Sequence, residues 1–140
     1  MKRNTAIALF ALSTLGAAAR VLGQTPAVQA TVPFEFTVGG KLLPADTYTI
    51  TSSQSGVIMI RNADTHFWAL TIASHSNQES ARGSELVFDK YGDKYFLREV
   101  MCPDDAALNV DVPKSKLEKQ VQIQEAKYGG VPEVVLVASR

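Results

Sequence analysis

Apolar and polar residues alternate over short stretches along most of this chain, which is the pattern of half-buried β-strands. In the first stretch, Val32, Phe34, Phe36 and Val38 alternate with more polar positions. This predicts a strand over 30–38, with Pro33 at a sheet edge or a strand start because proline cannot donate to a ladder. Six more strands are predicted over 47–51, 57–60, 67–73, 86–88, 95–101 and 131–138.

Turn residues separate these stretches. Gly39-Gly40 predicts a tight turn, and Tyr91-Gly92-Asp93 predicts the connection of a β-hairpin over 85–101. The polar segment 74–84 is expected to be a loop. In the last stretch, residues 134–137 are consecutively apolar, which is typical of a strand covered on both faces.

One helix is predicted near the C-terminal end, over 114–127. Ser115 and Glu118 have the spacing of a capping box, in which each residue satisfies a backbone N–H at the start of the helix. Gly129-Gly130 follows as a stop signal. The apolar stripe of this segment is thin, so we expect a surface helix packed on one face or end of the sheets.

About seven short strands at regular spacing, with one late helix, predict a mainly β fold. The expected architecture is a small antiparallel sandwich or a partly closed barrel. Periodicity does not decide between the two, since strand order is not encoded in it.

The first 23 residues have the organisation of a secretory signal peptide. Lys2 and Arg3 precede an uncharged apolar run over 6–19, which is too short for a membrane-spanning helix. The preferred cleavage site lies before Gln24, and cleavage before Arg20 is the alternative. We therefore expect residues 1–23 to be a signal peptide, residues 24–140 to be one β-rich domain, and the product to be periplasmic or secreted.

The charge of the expected mature chain disfavours a nucleic-acid ligand. Lys2, Arg3 and Arg20 lie in the leader, which leaves eleven basic residues against fourteen acidic ones, a net charge of −3. Such a chain lacks the basic footprint of nucleic-acid binders. No second apolar stretch reaches spanning length, so we expect no membrane span after cleavage.

Residues with metal or catalytic chemistry are sparse. His66 and His75 are the only histidines and flank one predicted strand, which disfavours a shared metal. The single cysteine, Cys102, is interpreted as a buried small residue. Asp104, Asp105 and Asp111 lack the alternating ligands of a calcium loop, so a solvated loop is favoured.

We find no catalytic, cofactor-binding or metal-ligating motif. No serine lies in a Gly-x-Ser-x-Gly elbow, although a triad or a carboxylate pair assembled in space leaves no sequence signature. Aromatic residues give the candidate ligand contacts. Most aromatics in alternating strands belong to a core, but Trp68, Tyr91 and Tyr128 are retained as ligand-contacting candidates, with Tyr91 and Tyr128 expected to be exposed beside loop glycines.

Two segments resemble a group of uncharacterised small exported bacterial proteins of acidobacterial type. The segments are 32–48 (VPFEFTVGGKLLPADTY) and 86–97 (LVFDKYGDKYFL), and Pro113-Lys114-Ser115 fits as well. The group's pattern would place glycine at Asp46, where aspartate can adopt a left-handed backbone in its stead. The resemblance implies export and a β-rich domain, and it implies no activity.

These observations favour an exported, non-catalytic binding or structural module of the cell envelope, with a glycan, a lipid or a protein as its ligand. A small extracytoplasmic hydrolase with a spatially assembled site is the alternative. Self-association through an edge at 131–138 is a third hypothesis.

Overall fold

The computed structural model contains eleven β-strands and one helix within the residues that it describes, 27–53, 55–62, 64–78 and 82–140. The expected signal peptide, residues 1–23, lies outside the described residues. The strands are β1 (Ala27–Val32), β2 (Phe36–Val38), β3 (Lys41–Leu43), β4 (Asp46–Ser52), β5 (Val57–Asn62), β6 (Trp68–Ile72), β7 (Ser74–His75), β8 (Glu85–Tyr91), β9 (Lys94–Met101), β10 (Val110–Asp111) and β11 (Glu133–Ala138), and the helix is α1 (Lys116–Lys127).

The strands form two sheets. Sheet A has the order β1-β4-β5-β6, and sheet B has the order β11-β8-β9-β10-β7, with β2 joined to β9 and β3. All of these pairings are antiparallel except the contact of β2 with β9. The prediction of a mainly β fold with one C-terminal helix is confirmed, and a sheet is curled as a half-barrel.

The first predicted strand is in fact two strands. β1 ends at Val32 in sheet A, the chain bends at Pro33 and Phe34, and β2 begins at Phe36 in sheet B. Proline supplies no N–H for a ladder, so it is suited to the corner where a strand changes sheet. Inward alternation continues through the corner, and the sequence pattern therefore shows no break there.

The core lies between the two sheets and contains aromatic residues from both. The ring of Phe36 lies edge-on to Tyr48 at 5.2 Å and to Phe88 at 5.3 Å between centroids. The Tyr48 side chain is fully buried, and its hydroxyl donates to the carbonyl of Pro44 at 2.6 Å. This bond gives a buried phenol its partner and fixes the chain before β4.

Asp46 does not need a left-handed backbone. No described residue other than glycine has a positive φ, and Asp46 starts β4 with its Oδ1 accepting from the Thr47 N–H at 2.8 Å. The expectation of a left-handed aspartate at this position is therefore wrong.

The predicted hairpin over 85–101 is confirmed by the pairing of β8 with β9. Gly92 has a φ of +64°, and a type II′ turn requires such a value at its first central position. A register shift lies between Val87 and Phe88, which is a β-bulge or a similar irregularity of the ladder.

The last strand was expected to be covered on both faces, and this is wrong. β11 pairs only with β8 and is the edge of sheet B. Val135 and Val137 pack against the core, whereas Val134 and Leu136 are 53% and 47% exposed. Beyond the strand, Arg140 exchanges two backbone hydrogen bonds with Gln29 of β1, at 2.8 and 3.0 Å, and these bonds join the two sheets.

The side chain of Asn109 fixes the loop that precedes β10. The Nδ2 of Asn109 donates to the carbonyls of Ser76 and Gln78 at 2.9 and 3.0 Å, while its Oδ1 accepts from the Cys102 N–H at 3.2 Å. These bonds fasten the loop between β9 and β10 to the strand end after β7. Short strands such as β7 and β10 have too few residues to show a periodicity, so the sequence did not predict them.

Candidate binding face

The outward face of sheet A carries a group of exposed apolar side chains at its β6 edge. Trp68, Leu70 and Ile72 alternate with inward residues of β6 and are 48%, 50% and 71% exposed. Met59 on β5 lies directly opposite Leu70 and is 37% exposed. The period of two in the predicted strand 67–73 places Trp68, Leu70 and Ile72 on one face, and in the structure that face is exposed to solvent.

The same face becomes polar towards β4 and β1. Backbone pairing places Gln29, Thr49, Arg61 and Trp68 directly opposite one another on four successive strands. We call these four residues the transverse row, because it runs across the strands rather than along them. Beside the row lies a shallow hollow of about 320 Å³, lined by Thr49, Thr51, Met59 and Arg61.

Trp68 is held in position by the β2–β3 hairpin. The ammonium of Lys41 lies 4.9 Å from the centre of the indole ring, within the range of a cation–π contact. The turn of this hairpin approaches β6 so closely that a Cβ on Gly39 would lie 2.7 Å from the carbonyl oxygen of Leu70. The Gly39-Gly40 turn therefore provides close packing as well as a reversal of the chain.

The three candidate aromatics lie on three different elements. Trp68 is on the outward face of sheet A, and Tyr128 caps the C-terminal end of α1 with 90% of its surface exposed. Tyr91 is only 2% exposed, so the expectation that it is exposed is wrong. It packs edge-on to Phe96 at 5.7 Å, and Val121 of the helix covers the pair.

Two further aromatics close to these candidates in the chain, Phe67 and Tyr95, also differ in exposure. Phe67 is 45% exposed just before β6. Tyr95 stacks on Phe34 at 3.8 Å between centroids and packs against the core.

Sequence reasoning missed a set of buried carboxyl groups on the outward face of sheet B. Ser115 caps α1 by accepting from the Glu118 N–H at 3.2 Å, which is one of the two bonds of a capping box. The Glu118 side chain points to the sheet, where Tyr91 donates to its Oε1 at 3.3 Å. Burial first, and the negative charge of Asp89 second, raise the pKa of Glu118. Arg98 lies 3.5 Å from Asp89 and partly balances this charge.

A second carboxyl group, Glu99, lies opposite Asp111 of β10. Ser76 donates to Glu99 at 2.8 Å, and Glu99 is 2% exposed. Its pKa is raised, mainly by burial and further by the adjacent Asp111 carboxyl. The sequence did not show that Glu118 and Glu99 would be buried. Each lies in a strand or helix, and only the packing of other elements over it removes its carboxyl from solvent.

The remaining candidate residues are dispersed. His66 precedes β6 and His75 lies in β7, at opposite ends of that part of the chain as expected. Cys102 is buried and accepts from the Ser84 hydroxyl at 3.6 Å. Asp104 is exposed, and Asp105 accepts from the Ala107 N–H within the loop. Among the described residues, no three His, Cys, Asp or Glu side chains are grouped so that they could hold a metal ion.

Within residues 27–140, apart from the few positions left undescribed, no helix has the length and apolar character needed to cross a bilayer. No protein-family model, curated protein or solved structure matches this chain.

Proposed function

We propose that this chain is an exported, non-catalytic module that binds its ligand on the outward face of sheet A. The observation that carries the proposal is the exposure of Trp68, Leu70 and Ile72 on one face beside the hollow. Large apolar side chains grouped at the surface of a monomer are typical of an interaction site. The signal-peptide pattern of residues 1–23 supports export, and so does the resemblance to small exported bacterial proteins.

The local composition also supports a binding role. Trp68 combines a broad apolar surface with one N–H donor, and Arg61 and Thr49 add polar groups beside it. A few polar groups next to an apolar surface fix the orientation of a ligand and give it specificity.

The experiment is a thermal-shift screen of the purified protein against glycans, fatty acids, phospholipids and peptides, followed by the same screen on Trp68→Ala. A ligand at 100 times its dissociation constant adds about 2.7 kcal/mol to the free energy of unfolding. This amounts to several degrees for a domain of this size. We expect a dose-dependent shift with at least one ligand class, and its loss in Trp68→Ala.

Tyr128→Ala is the matched control, because it removes an aromatic side chain that is 90% exposed on another element. A shift that survives Trp68→Ala would place binding elsewhere and contradict the proposed face. Hydrolysis of any ligand in the screen would contradict the non-catalytic role.

Export has its own test. The chain recovered from the extracytoplasmic fraction of a bacterial host should start at Gln24 by mass spectrometry. Retention of the intact chain in the cytoplasm would refute export without affecting the binding face.

A further inference from the structure

We infer that the ligand of the outward face of sheet A is an acidic glycan, a chain of sugars bearing carboxylates, laid along the transverse row. This inference rests on the proposed function and names the chemical class of its ligand. The row runs from Gln29 through Thr49 and Arg61 to Trp68, with Lys41 over the indole.

The charge of the row favours an anionic ligand. Lys41 and Arg61 flank Trp68, and no carboxylate of the described residues lies within ion-pair distance of either cation. This is notable in a chain whose expected mature form has three more acidic than basic residues. A planar guanidinium can hold a carboxylate with two parallel hydrogen bonds.

The polar groups favour a ligand rich in hydroxyls. Gln29 presents an amide, Thr49 and Thr51 present hydroxyls, and Trp68 presents a flat apolar surface with an N–H donor. Sugars combine hydroxyl edges with apolar C–H faces, and these match hydroxyl and amide partners beside an indole. The apolar Met59 in the hollow supports such a C–H face.

The direction of the row argues against an extended peptide. Peptides that join a sheet add along a strand edge, where their backbone pairs with free N–H and C=O groups. The transverse row instead crosses four strands, and its three inter-strand spacings of about 4.8 Å give a length of about 14 Å. The two inner strands, β4 and β5, are paired on both sides, so they offer a peptide no free backbone groups along the row. A ligand along the row must bring its own hydrogen-bonding groups at intervals, as a glycan does.

The test uses the purified protein and three polysaccharides: polygalacturonate, its fully methyl-esterified form, and dextran. Trp68 is the only tryptophan in the chain, so its fluorescence reports on ligand at this position directly. We expect polygalacturonate to change the emission saturably, with an affinity that falls as salt is raised. The esterified form and dextran should bind about tenfold more weakly or not at all, since they lack the carboxylates that Arg61 and Lys41 would hold.

Variants locate the site. Arg61→Gln and Lys41→Gln should each weaken polygalacturonate binding by about tenfold. Lys119→Gln, which removes an exposed cation from α1, should leave the affinity unchanged. Equal losses of affinity in all three variants would show that binding depends only on the overall charge of the protein, and would overturn the inference. Unchanged melting temperatures would confirm that the variants are folded.

Two further outcomes would overturn the inference. Polyglutamate binding as tightly as polygalacturonate, with the same Trp68 response, would identify an acidic peptide as the partner. Absence of a response to all three polysaccharides would exclude the acidic glycan. In that case a Trp68-dependent shift with another ligand class in the thermal screen would still support the proposed function, so the two failures are distinguishable.

Discussion

The hydroxyl of Tyr91 donates to the Oε1 of Glu118 at 3.3 Å and links strand β8 to helix α1. Both side chains are almost completely buried. Glu118 is 3% exposed and lies near the negative charge of Asp89. The same surroundings raise the pKa of Tyr91 to about 12, mainly through burial and then through the charge of Glu118. This polar contact and the packing of Val121 on Tyr91 and Phe96 together hold the helix on the sheet.

The raised pKa of Glu118 predicts that its ionisation weakens the fold. A carboxyl whose pKa is higher in the folded than in the unfolded chain binds more protons in the folded state. Its contribution is therefore fully present below its ordinary pKa and is lost as the pH rises through the folded value. Glu118→Gln should have a stability advantage over the natural chain that grows from about pH 4.5 towards neutrality. Urea unfolding at a series of pH values measures it.

Glu35→Gln is the control for this series, because it makes the same substitution at an exposed side chain. A constant difference between Glu118→Gln and the natural chain at every pH would show that Glu118 does not ionise as we propose.

The approach of Gly39 to Leu70 predicts unequal effects at two adjacent glycines. Gly39 and Gly40 have φ values of +57° and +78°, so alanine at either position costs about 1–2 kcal/mol in backbone strain. Only at Gly39 would the new Cβ also press on a backbone oxygen, whereas the space at Gly40 is open. Gly39→Ala should therefore destabilise the protein clearly more than Gly40→Ala in equilibrium unfolding. Equal losses would contradict the close packing of the turn on β6.

The hydrogen bond of the buried Tyr48 hydroxyl predicts that removing this hydroxyl lowers the stability of the fold. Tyr48→Phe keeps the ring packed against Phe36 but leaves the Pro44 carbonyl without its donor. We expect a loss of about 1–2 kcal/mol in the free energy of unfolding. Tyr128→Phe, at a residue that is 90% exposed, should change stability by much less. A neutral Tyr48→Phe would mean that water or another donor satisfies this carbonyl.

The hydrogen bonds of the Asn109 side chain predict a large loss of stability when it is removed. Its amide makes three hydrogen bonds to backbone groups of Ser76, Gln78 and Cys102. Asn109→Ala should cost about 2–3 kcal/mol, since three backbone groups lose their partner together. Asn77→Ala, at an exposed neighbour, is the matched control. Faster amide hydrogen exchange at Cys102 in Asn109→Ala would locate the effect, and an unchanged rate would argue against it.

Local sequence determined the elements of this protein. Alternation predicted the strand that contains Tyr48, and short apolar runs predicted those that contain Ile60 and Phe88. The spacing of Ser115 and Glu118 predicted the start of the helix. Gly92 predicted the hairpin turn. Each of these features depends on neighbours in the chain, such as a backbone φ, a cap or a period of two, and is therefore visible in the sequence itself.

Only the tertiary structure decided which faces and edges remain exposed. Trp68 and Tyr91 are both aromatics of alternating strands, yet Trp68 faces solvent and Tyr91 lies under a helix that begins 25 residues later. The apolar run of β11 lies at an edge because the order of the strands leaves only β8 beside it. The order in which strands pair and the position of the helix depend on contacts between segments that are distant in the chain. The transverse row likewise exists only because four strands align in register. Periodicity states that a strand has two faces, and only the assembled sheets determine what covers each one.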